Sequence, residues 1–329
     1  MRRRARTTLI LLGLAASLAV IATSAASAGA KRASAHSPTV GIGDEQPSTF
    51  GNKAFLALHM KIARYVTPYD VVNNKSQNDL PRLKHWLADA KRDHVDPLIA
   101  FYHSDRTPKK MPSVKAYTKD IKKFLKMFPQ VKEIQPWNEA NRGYVSAGHG
   151  SYQSPNAKQS AQYYLVVKSL CKKCTVVGLD VLDSTDVPAT IRYINEFKRA
   201  LGHAKQPTLW GLHNYSDTNR FHSTGTKAVL KDTSGTIWLT ETGGIAKLQP
   251  SFPWNLARQS RAITYMFKLA SISSRITRLY IFQWTGGRHA KERFDAGITD
   301  YKGRPRPAYC TVYEHLLHKK RCNVKPVSD

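Results

Sequence analysis

The feature that most limits the possible folds of this chain is a repeated alternation of short apolar runs and amphipathic stretches. Each apolar run has four to seven residues, which is the usual length of a buried strand. The eight runs are Thr39–Gly43, Ile62–Thr67, Pro97–Phe101, Val131–Ile134, Thr175–Leu179, Thr208–Leu212, Thr236–Leu239 and Ile276–Phe282.

The segments between these runs carry apolar side chains at helical spacing. Leu80, Leu83 and Leu87 share one face, and Ser113 and Asp186 stand where helices would begin. Strands that alternate with helices predict parallel strands joined by crossover connections. Because about eight such units follow one another without a linker, we predict an α/β fold, a single-domain (β/α)₈ TIM barrel.

A doubly wound open sheet is the alternative architecture. That fold commonly has a glycine-rich phosphate loop after its first strand. The first run here offers only the lone pair Gly41 and Gly43, without a third glycine that opens a helix. Gly41 and Gly43 are more typical of a barrel strand in which a glycine relieves crowding between side chains.

The first 28 residues are predicted to be a secretory signal peptide. A basic start, Met1 to Arg6, precedes an apolar stretch, and Ala26 to Ala28 form a small-residue cleavage site. A retained membrane anchor is the alternative, although the stretch is short for a span. We therefore expect a secreted protein with a disordered lead-in at 29–37 and a catalytic domain at 38–329.

The four cysteines are expected to form two local disulfides. Cys171 and Cys174 are close in sequence, as are Cys310 and Cys322, and export to an oxidising compartment favours bridges. A zinc site made of all four, or a redox-active CxxC pair, are the alternatives. We predict no metal and no cofactor.

The chain is strongly basic, with a net charge of +28 that becomes 28 − 4 = +24 without the four arginines of the signal peptide. Such a charge suits nucleic acid, an anionic envelope or an acidic polysaccharide. The charge is spread along helical stretches without a nucleic-acid-binding motif, so no nucleic-acid partner is predicted. A solvated surface on a monomer explains it equally well.

Polar side chains stand at the predicted carboxyl ends of the strands, where a barrel places its active site. Two are glutamates, Glu139 in IQPWNEAN and Glu241 in TIWLTETGG. Cleavage of a glycosidic bond needs one carboxyl group as acid and a second as nucleophile or base. The other residues at these ends are Asp44, Glu45, Arg64, Tyr102, His103, Asn138, Asp180, Asp183, His213, Tyr215, Gln283 and Trp284.

The segments WNEAN at 137–141 and TETGG at 240–244 resemble the acid/base and nucleophile motifs of the clan A retaining glycoside hydrolases. In that clan an Asn-Glu pair ends the fourth barrel strand and a second glutamate ends the seventh. The predicted strand count places Glu139 and Glu241 at those two strands. The resemblance implies Glu139 as acid/base and Glu241 as nucleophile in a double displacement on a β-linked glycan.

The resemblance also implies roles for other residues. Arg64 and Tyr215 would contact the nucleophile, Asn138 would bind the sugar 2-hydroxyl and His213 would accompany the tyrosine. Trp284, in IFQWTG, would form the floor of the sugar site. The sequence departs from the clan at Ala140, where many members have proline.

Two expectations about function follow. The proximity of the two glutamates should raise the pKa of one of them, which would keep it protonated as the acid. A non-catalytic carbohydrate-binding barrel and a basic nucleic-acid- or envelope-binding protein are the alternative functions. A binding barrel would be expected to lack one carboxylate, and both are present.

Overall fold

The computed structural model describes residues 37–74, 76–145, 154–288 and 292–327. The predicted signal peptide and residues 29–36 of the predicted lead-in lie outside these residues. Among the described residues, no helix is long and apolar enough to cross a bilayer. The strands, in chain order, are β1 Thr39–Gly43, β2 Ile62–Pro68, β3 Asp96–Tyr102, β4 Glu133–Gln135, β5 Thr175–Val176, β6 Asp180–Leu182, β7 Leu209–His213, β8 Thr236–Thr242, β9 Lys247–Leu248, β10 Ile276–Phe282 and β11 Phe294–Asp295.

Nine of these strands form one parallel sheet that closes into a barrel. The order is β5-β4-β3-β2-β1-β10-β8-β7-β6. The two outermost strands, β5 and β6, are halves of one extended segment, in which Val177 N–H donates to Ile134 O and Gly178 N–H donates to Leu209 O. This segment therefore bonds to both β4 and β7 and occupies the fifth of eight barrel positions. The predicted (β/α)₈ barrel is confirmed, and β9 pairs with β11 as a small antiparallel ribbon outside it.

Helices follow the strands and cover the outside of the barrel. The apolar faces predicted for these helices are buried. Ser113 accepts an N-capping hydrogen bond from Ala116 N, and Asp186 accepts one from Ala189 N. The helices are α1 Lys53–Leu56, α2 Asp79–Arg92, α3 Val114–Met127, α4 Arg142–Val145, α5 Ala157–Leu170, α6 Val187–Ala200, α7 Tyr215–Arg220, α8 Thr224–Asp232, α9 Leu256–Ala270 and α10 Pro307–Leu317, with a 3₁₀ turn at Pro47–Thr49.

The barrel interior is filled in layers. Side chains alternate across each strand, so Ile62 and Arg64 on β2 both point inward, as do Glu133 and Gln135 on β4. An apolar cluster of Ile62, Leu98, Val177, Trp238 and Tyr280 fills the lower interior. The polar layer above it begins with Arg64, which is 1% exposed. The carboxyl ends of the strands therefore surround a polar cavity on an apolar base.

Both cysteine pairs lie at bonding distance, as the sequence predicts. The Sγ atoms of Cys171 and Cys174 are 1.93 Å apart, and those of Cys310 and Cys322 are 2.22 Å apart. The second pair joins α10 to the C-terminal segment. These bridges replace the zinc site that the four cysteines could also have formed.

The sequence favours a solvated Asp183 and an exposed basic loop YKGRPRP at 301–307, and both interpretations are wrong. Asp183 is 5% exposed and accepts hydrogen bonds from Ser216 N and Asp217 N, both at 2.8 Å. Arg306, within that loop, is 3% exposed and pairs with Asp295 at 2.8 Å. Each side chain is buried because a partner distant in sequence satisfies it.

Candidate active site

The two glutamates meet at the carboxyl ends of β4 and β8. Glu139 follows β4 in a left-handed backbone conformation, with φ of 45°, and its N–H donates to Asp180 Oδ2 at 3.0 Å. Glu241 lies within β8. Their residues are 5% and 8% exposed, and one carboxylate oxygen of each lies within 4.8 Å of the other. Two carboxyl groups this close can act on the same atom of a ligand.

Arg64 holds the Glu241 carboxylate from below. Its Nη1 is 2.8 Å from Glu241 Oε2, its Nε donates to Gln135 Oε1 at 3.1 Å and its Nη2 donates to Asn138 Oδ1. Arginine is always charged and presents a planar fork of donors. Glu241 therefore has a fixed, fully buried counter-ion.

Tyr215 holds the other oxygen of the same carboxylate. It is the first residue of α7, and its hydroxyl donates to Glu241 Oε1 at 2.9 Å. Burial and then the nearby Glu241 carboxylate raise the pKa of Tyr215 well above its usual value, so the phenol keeps its proton and remains a donor. Glu241 is thus oriented by one contact on each oxygen.

His213, the last residue of β7, lies between two carboxylates. Its Nδ1 is 3.1 Å from Glu139 Oε1 and its Nε2 is 3.0 Å from Asp180 Oδ2. Burial alone would lower the pKa of His213, but the charges of Asp180 and Glu241 and the hydrogen bonds to Asp180 and Glu139 raise it to about 10. The imidazole is therefore a cation that donates from both nitrogens.

The pKa of Glu139 is shifted in the direction opposite to the sequence expectation. Burial raises it, yet the hydrogen bond with His213 and the charge of Arg142, whose Nη1 is 2.7 Å from Glu139 Oε2, lower it to about 2. Proximity to Glu241 would raise the pKa, but the two cations lie closer. Glu139 is consequently ionised in this state.

The charges of the cluster balance. Three cations face three anions, which makes the buried group formally neutral and explains why so many charges are tolerated together. Removal of any one of these six side chains leaves a net charge in a site that is largely shielded from water. The six residues are Arg64, Arg142, His213, Glu139, Asp180 and Glu241.

The remaining predicted site residues have different environments. Asn138 is 6% exposed and bonds to Arg64, so its amide already belongs to the cluster. Trp284 is 1% exposed and meets the edges of Phe55 and Tyr309 at ring distances of 5.6 and 6.0 Å. Trp137 belongs to the aromatic core beside α5.

Sequence reasoning missed two residues of this site, Gln135 and Arg142, and gave no role to a third, Glu45. Gln135 contacts Arg64, and Arg142 contacts Glu139. Glu45 lies close enough to Glu241 that burial, the Asp44 charge and the Glu241 charge raise its pKa to about 8. No sequence signal identified Arg142, because an arginine three residues from a glutamate ordinarily forms a solvated surface pair.

A cavity of about 130 Å³ lies beside the cluster. Its walls come from the ends of β2 and β3 and the loops that follow β1 and β3. Polar and aromatic side chains alternate along it, which suits a hydroxylated ligand with an apolar face. The lining includes Glu45, Tyr65, Tyr102, His103 and Asp105.

The geometry also raises the question of a metal ion. One atom each of Glu139, His213 and Glu241 lies within 4.8 Å of the others. The carboxylates, however, already bind Arg64 and Arg142, and His213 is protonated on both nitrogens. A cation would have to displace these charges, so the donor set does not fit a metal ion.

No family model matches the chain, and no curated protein is found that resembles it in sequence. Solved structures do resemble it in fold. Xylanase B from Clostridium stercorarium F9 aligns with a TM-score of 0.62 and 10% identity over 84% of this chain and 97% of that chain. A GH5_18 protein from Streptomyces cattleya, in complex with GlcNAc, aligns with 0.61 and 12% over 89% and 82%.

A family 39 glycoside hydrolase from Bacteroides cellulosilyticus WH2 gives a TM-score of 0.55 at 14% identity over 87% of this chain. The chain has the barrel fold of these glycoside hydrolases. It spans 65% of the length of the family 39 protein. Identities of this size establish the architecture, and the chemistry has to be argued from the site.

Proposed function

We propose that the chain is a glycoside hydrolase that cleaves a β-linked glycan with retention, with Glu241 as nucleophile and Glu139 as acid/base. The observation that carries the proposal is the pair of buried carboxylates with oxygens within 4.8 Å of each other. Retaining enzymes have carboxyl groups about 5–5.5 Å apart, whereas inverting enzymes need room for a water between them. The fold shared with solved glycoside hydrolases supports the same function.

In the first step Glu241 attacks the anomeric carbon while Glu139 donates a proton to the departing glycosidic oxygen. The contact from Arg64 gives Glu241 a buried counter-ion, and the contact from Tyr215 orients its carboxylate. In the second step Glu139, now ionised, removes a proton from water, and the water oxygen displaces Glu241 from the sugar. His213 stabilises the ionised form of Glu139 that this step requires.

Asn138 is proposed to contact the sugar at a ring hydroxyl, and Trp284 is proposed to support the floor of the sugar site from beneath. Asn138 is held in place by Arg64, so its amide nitrogen is oriented for a ligand acceptor. Trp284 lies two residues after β10, at the same rim, and is 1% exposed. We further propose that the protein acts outside the cell, which its two disulfides support.

The test is release of reducing sugar by residues 29–329 from neutral β-glucans, xylans, mannans, galactans and polymers of uronic acid. Glu241→Gln and Glu139→Gln are the inactive variants. Glu133→Gln is the matched control, because Glu133 lies on β4 at the opposite end of the barrel, paired with Arg278 at 2.6 Å. We expect the first two variants to lose at least 1000-fold in kcat and the control to retain activity.

Two further measurements identify the mechanism. A 2-deoxy-2-fluoro glycoside of the preferred sugar should leave a covalent adduct on Glu241, detected by peptide mass spectrometry. Proton NMR of the first product should show the β anomer. Full activity in either glutamine variant would refute the assigned roles, and tight binding to one glycan without hydrolysis would favour a binding barrel.

A further inference from the structure

Both oxygens of Glu139 are occupied by cationic donors. Oε1 lies 3.1 Å from His213 Nδ1, and Oε2 lies 2.7 Å from Arg142 Nη1. A general acid must carry a proton on the oxygen that faces the departing group. Arginine has no acceptor and does not lose its proton. Protonation of Oε2 therefore removes the charge that holds Arg142 there, and the Arg142 cation opposes it.

The two cations differ in how readily they can move. His213 is fully buried and is tied to Asp180 at 3.0 Å, so its position is set by β7 and the barrel. The side chain of Arg142 is 38% exposed and approaches Glu139 from α4, which has only four residues. Arg142 is the contact that can be released, and Oε2 is the oxygen that its release makes available.

Release of Arg142 without compensation is unfavourable, because it separates a charge pair in which Glu139 is 7% exposed. An anion on the substrate would compensate by giving the guanidinium a new partner. The anion has to lie within reach of Arg142, whose side chain contacts Glu139 Oε2 in this structure. Because Oε2 would face the departing glycosidic oxygen, an anion beside it would belong to the leaving-group sugar.

On the basis of the proposed function, we propose that Arg142 selects glycans whose leaving-group sugar carries a carboxylate or sulfate, and that binding of this anion frees Glu139 Oε2 to act as the acid. The guanidinium fork matches either oxyanion with two parallel hydrogen bonds. The net charge of +28 favours encounter with such polymers. Burial and the Arg142 charge lower the pKa of His103 next to it, so that imidazole does not compete for the anion.

The proton balance of the step is complete. With Arg142 paired to the substrate anion, Glu139 takes a proton from solvent at Oε2. As the bond between the anomeric carbon and the glycosidic oxygen breaks, its electron pair stays on that oxygen, which accepts the proton. Glu139 returns to the carboxylate, and Arg142 can pair with it again once the anionic product leaves.

The experiment compares two oligosaccharide substrates that differ only in the leaving-group sugar, one with a C6 carboxylate and one with a C6 hydroxyl. For the wild type we expect kcat/KM to be at least 10-fold higher for the carboxylate substrate. In Arg142→Gln the ratio of kcat/KM for the carboxylate substrate to kcat/KM for the hydroxyl substrate should be close to one. The variant should lower kcat/KM for the anionic substrate and raise kcat for the neutral one. Arg142→Lys should keep part of the preference, because it keeps the charge without the fork.

Arg192→Gln is the matched control, since Arg192 is an exposed arginine on α6 that lies 4.0 Å from Asp186, remote from the cluster. Its ratio should equal that of the wild type.

The pH profile gives a readout that a structural role would not alter. The groups facing Glu139 are His213, Arg142, Arg64, Glu241 and Asp180. Without Arg142 the acid retains its proton to higher pH, so the alkaline limb for the neutral substrate should move upward.

A ratio near one in the wild type, or the same ratio in Arg142→Gln, would overturn the proposal while leaving the hydrolase function intact. Failure of the proposed function has a different signature, which is no hydrolysis of either substrate and no effect of Glu241→Gln. A preference that is lost equally in Arg192→Gln would assign it to general surface charge and would also overturn the role of Arg142.

Discussion

Replacement of Arg64 by methionine should be the most damaging single change at this site. The guanidinium is 1% exposed and is the buried counter-ion of Glu241 at 2.8 Å. Breaking a buried pair by removing one partner costs about 3–5 kcal/mol, because the remaining charge is uncompensated. The amide oxygens of Gln135 and Asn138 also lose a donor, which costs about 1–3 kcal/mol for each unsatisfied group. We therefore expect Arg64→Met to lower the free energy of unfolding by at least about 5 kcal/mol.

A double-mutant cycle separates these contributions. In Glu241→Gln the charge that Arg64 balances is gone, so adding Arg64→Met should cost only what Gln135 and Asn138 lose. The coupling energy between the two sites should therefore be at least about 2 kcal/mol, within the range measured for residues in one network. The free energies come from urea unfolding followed by tryptophan fluorescence and circular dichroism together.

Two results would refute this reasoning. A cost below about 1 kcal/mol for Arg64→Met would mean that water or a rearranged side chain replaces the guanidinium. Additive costs in the double variant would mean that the Arg64 and Glu241 charges do not stabilise each other. Either result would also remove the argument that Arg64 is the counter-ion of Glu241.

Three further predictions concern other buried contacts. The imidazole of His213 should stay doubly protonated up to about pH 10 by ¹⁵N NMR; because its pKa is raised, its stabilising contribution is complete below about pH 6.5 and is lost as the pH approaches 10. Arg306→Met should lower the free energy of unfolding in urea by about 3–5 kcal/mol, because Asp295 is 0% exposed, and a change below about 1 kcal/mol would contradict this. Serine at both Cys310 and Cys322 should cost roughly 3 kcal/mol in the same assay, more than the roughly 2 kcal/mol of the shorter Cys171–Cys174 loop, and the reverse order would contradict the loop-entropy account.

The predictability of the fold follows from local patterns. The runs Thr39–Gly43 and Ile276–Phe282 coincide with β1 and β10, because a short apolar run of that length is typical of a buried strand in a parallel sheet. The capping residues Ser113 and Asp186 begin helices through contacts three residues away. By contrast, Ser154 precedes a proline, a pattern that favours an N-cap at Ser154, yet Asn156 caps α5 by accepting from Gln159 N. Such a shift of two residues depends on packing that the sequence pattern does not contain.

The site was predictable where a residue ends a strand. Glu139, His213 and Glu241 follow or end apolar runs, and a parallel barrel brings all such positions to one rim. Arg142 and Arg306 gave no signal, because a charged side chain in a helix or loop is ordinarily solvated. Arg306 is buried because it pairs with Asp295 on another element. The pair of Arg142 with Glu139 is local, but the fold buries that glutamate and so gives the pair its importance.

The sequence alone determined the barrel, the two disulfides and the rim on which the glutamates stand, because periodicity, spacing and strand-end position are properties of neighbouring residues. Tertiary structure decided the protonation of the site. Whether Glu139 carries a proton depends on the distances to His213 and Arg142, and a pKa is set by burial and by charges a few ångströms away. The distance to His213 is fixed by the closure of the barrel, which brings β7 to the end of β4, and the distance to Arg142 is fixed by the turn that follows β4.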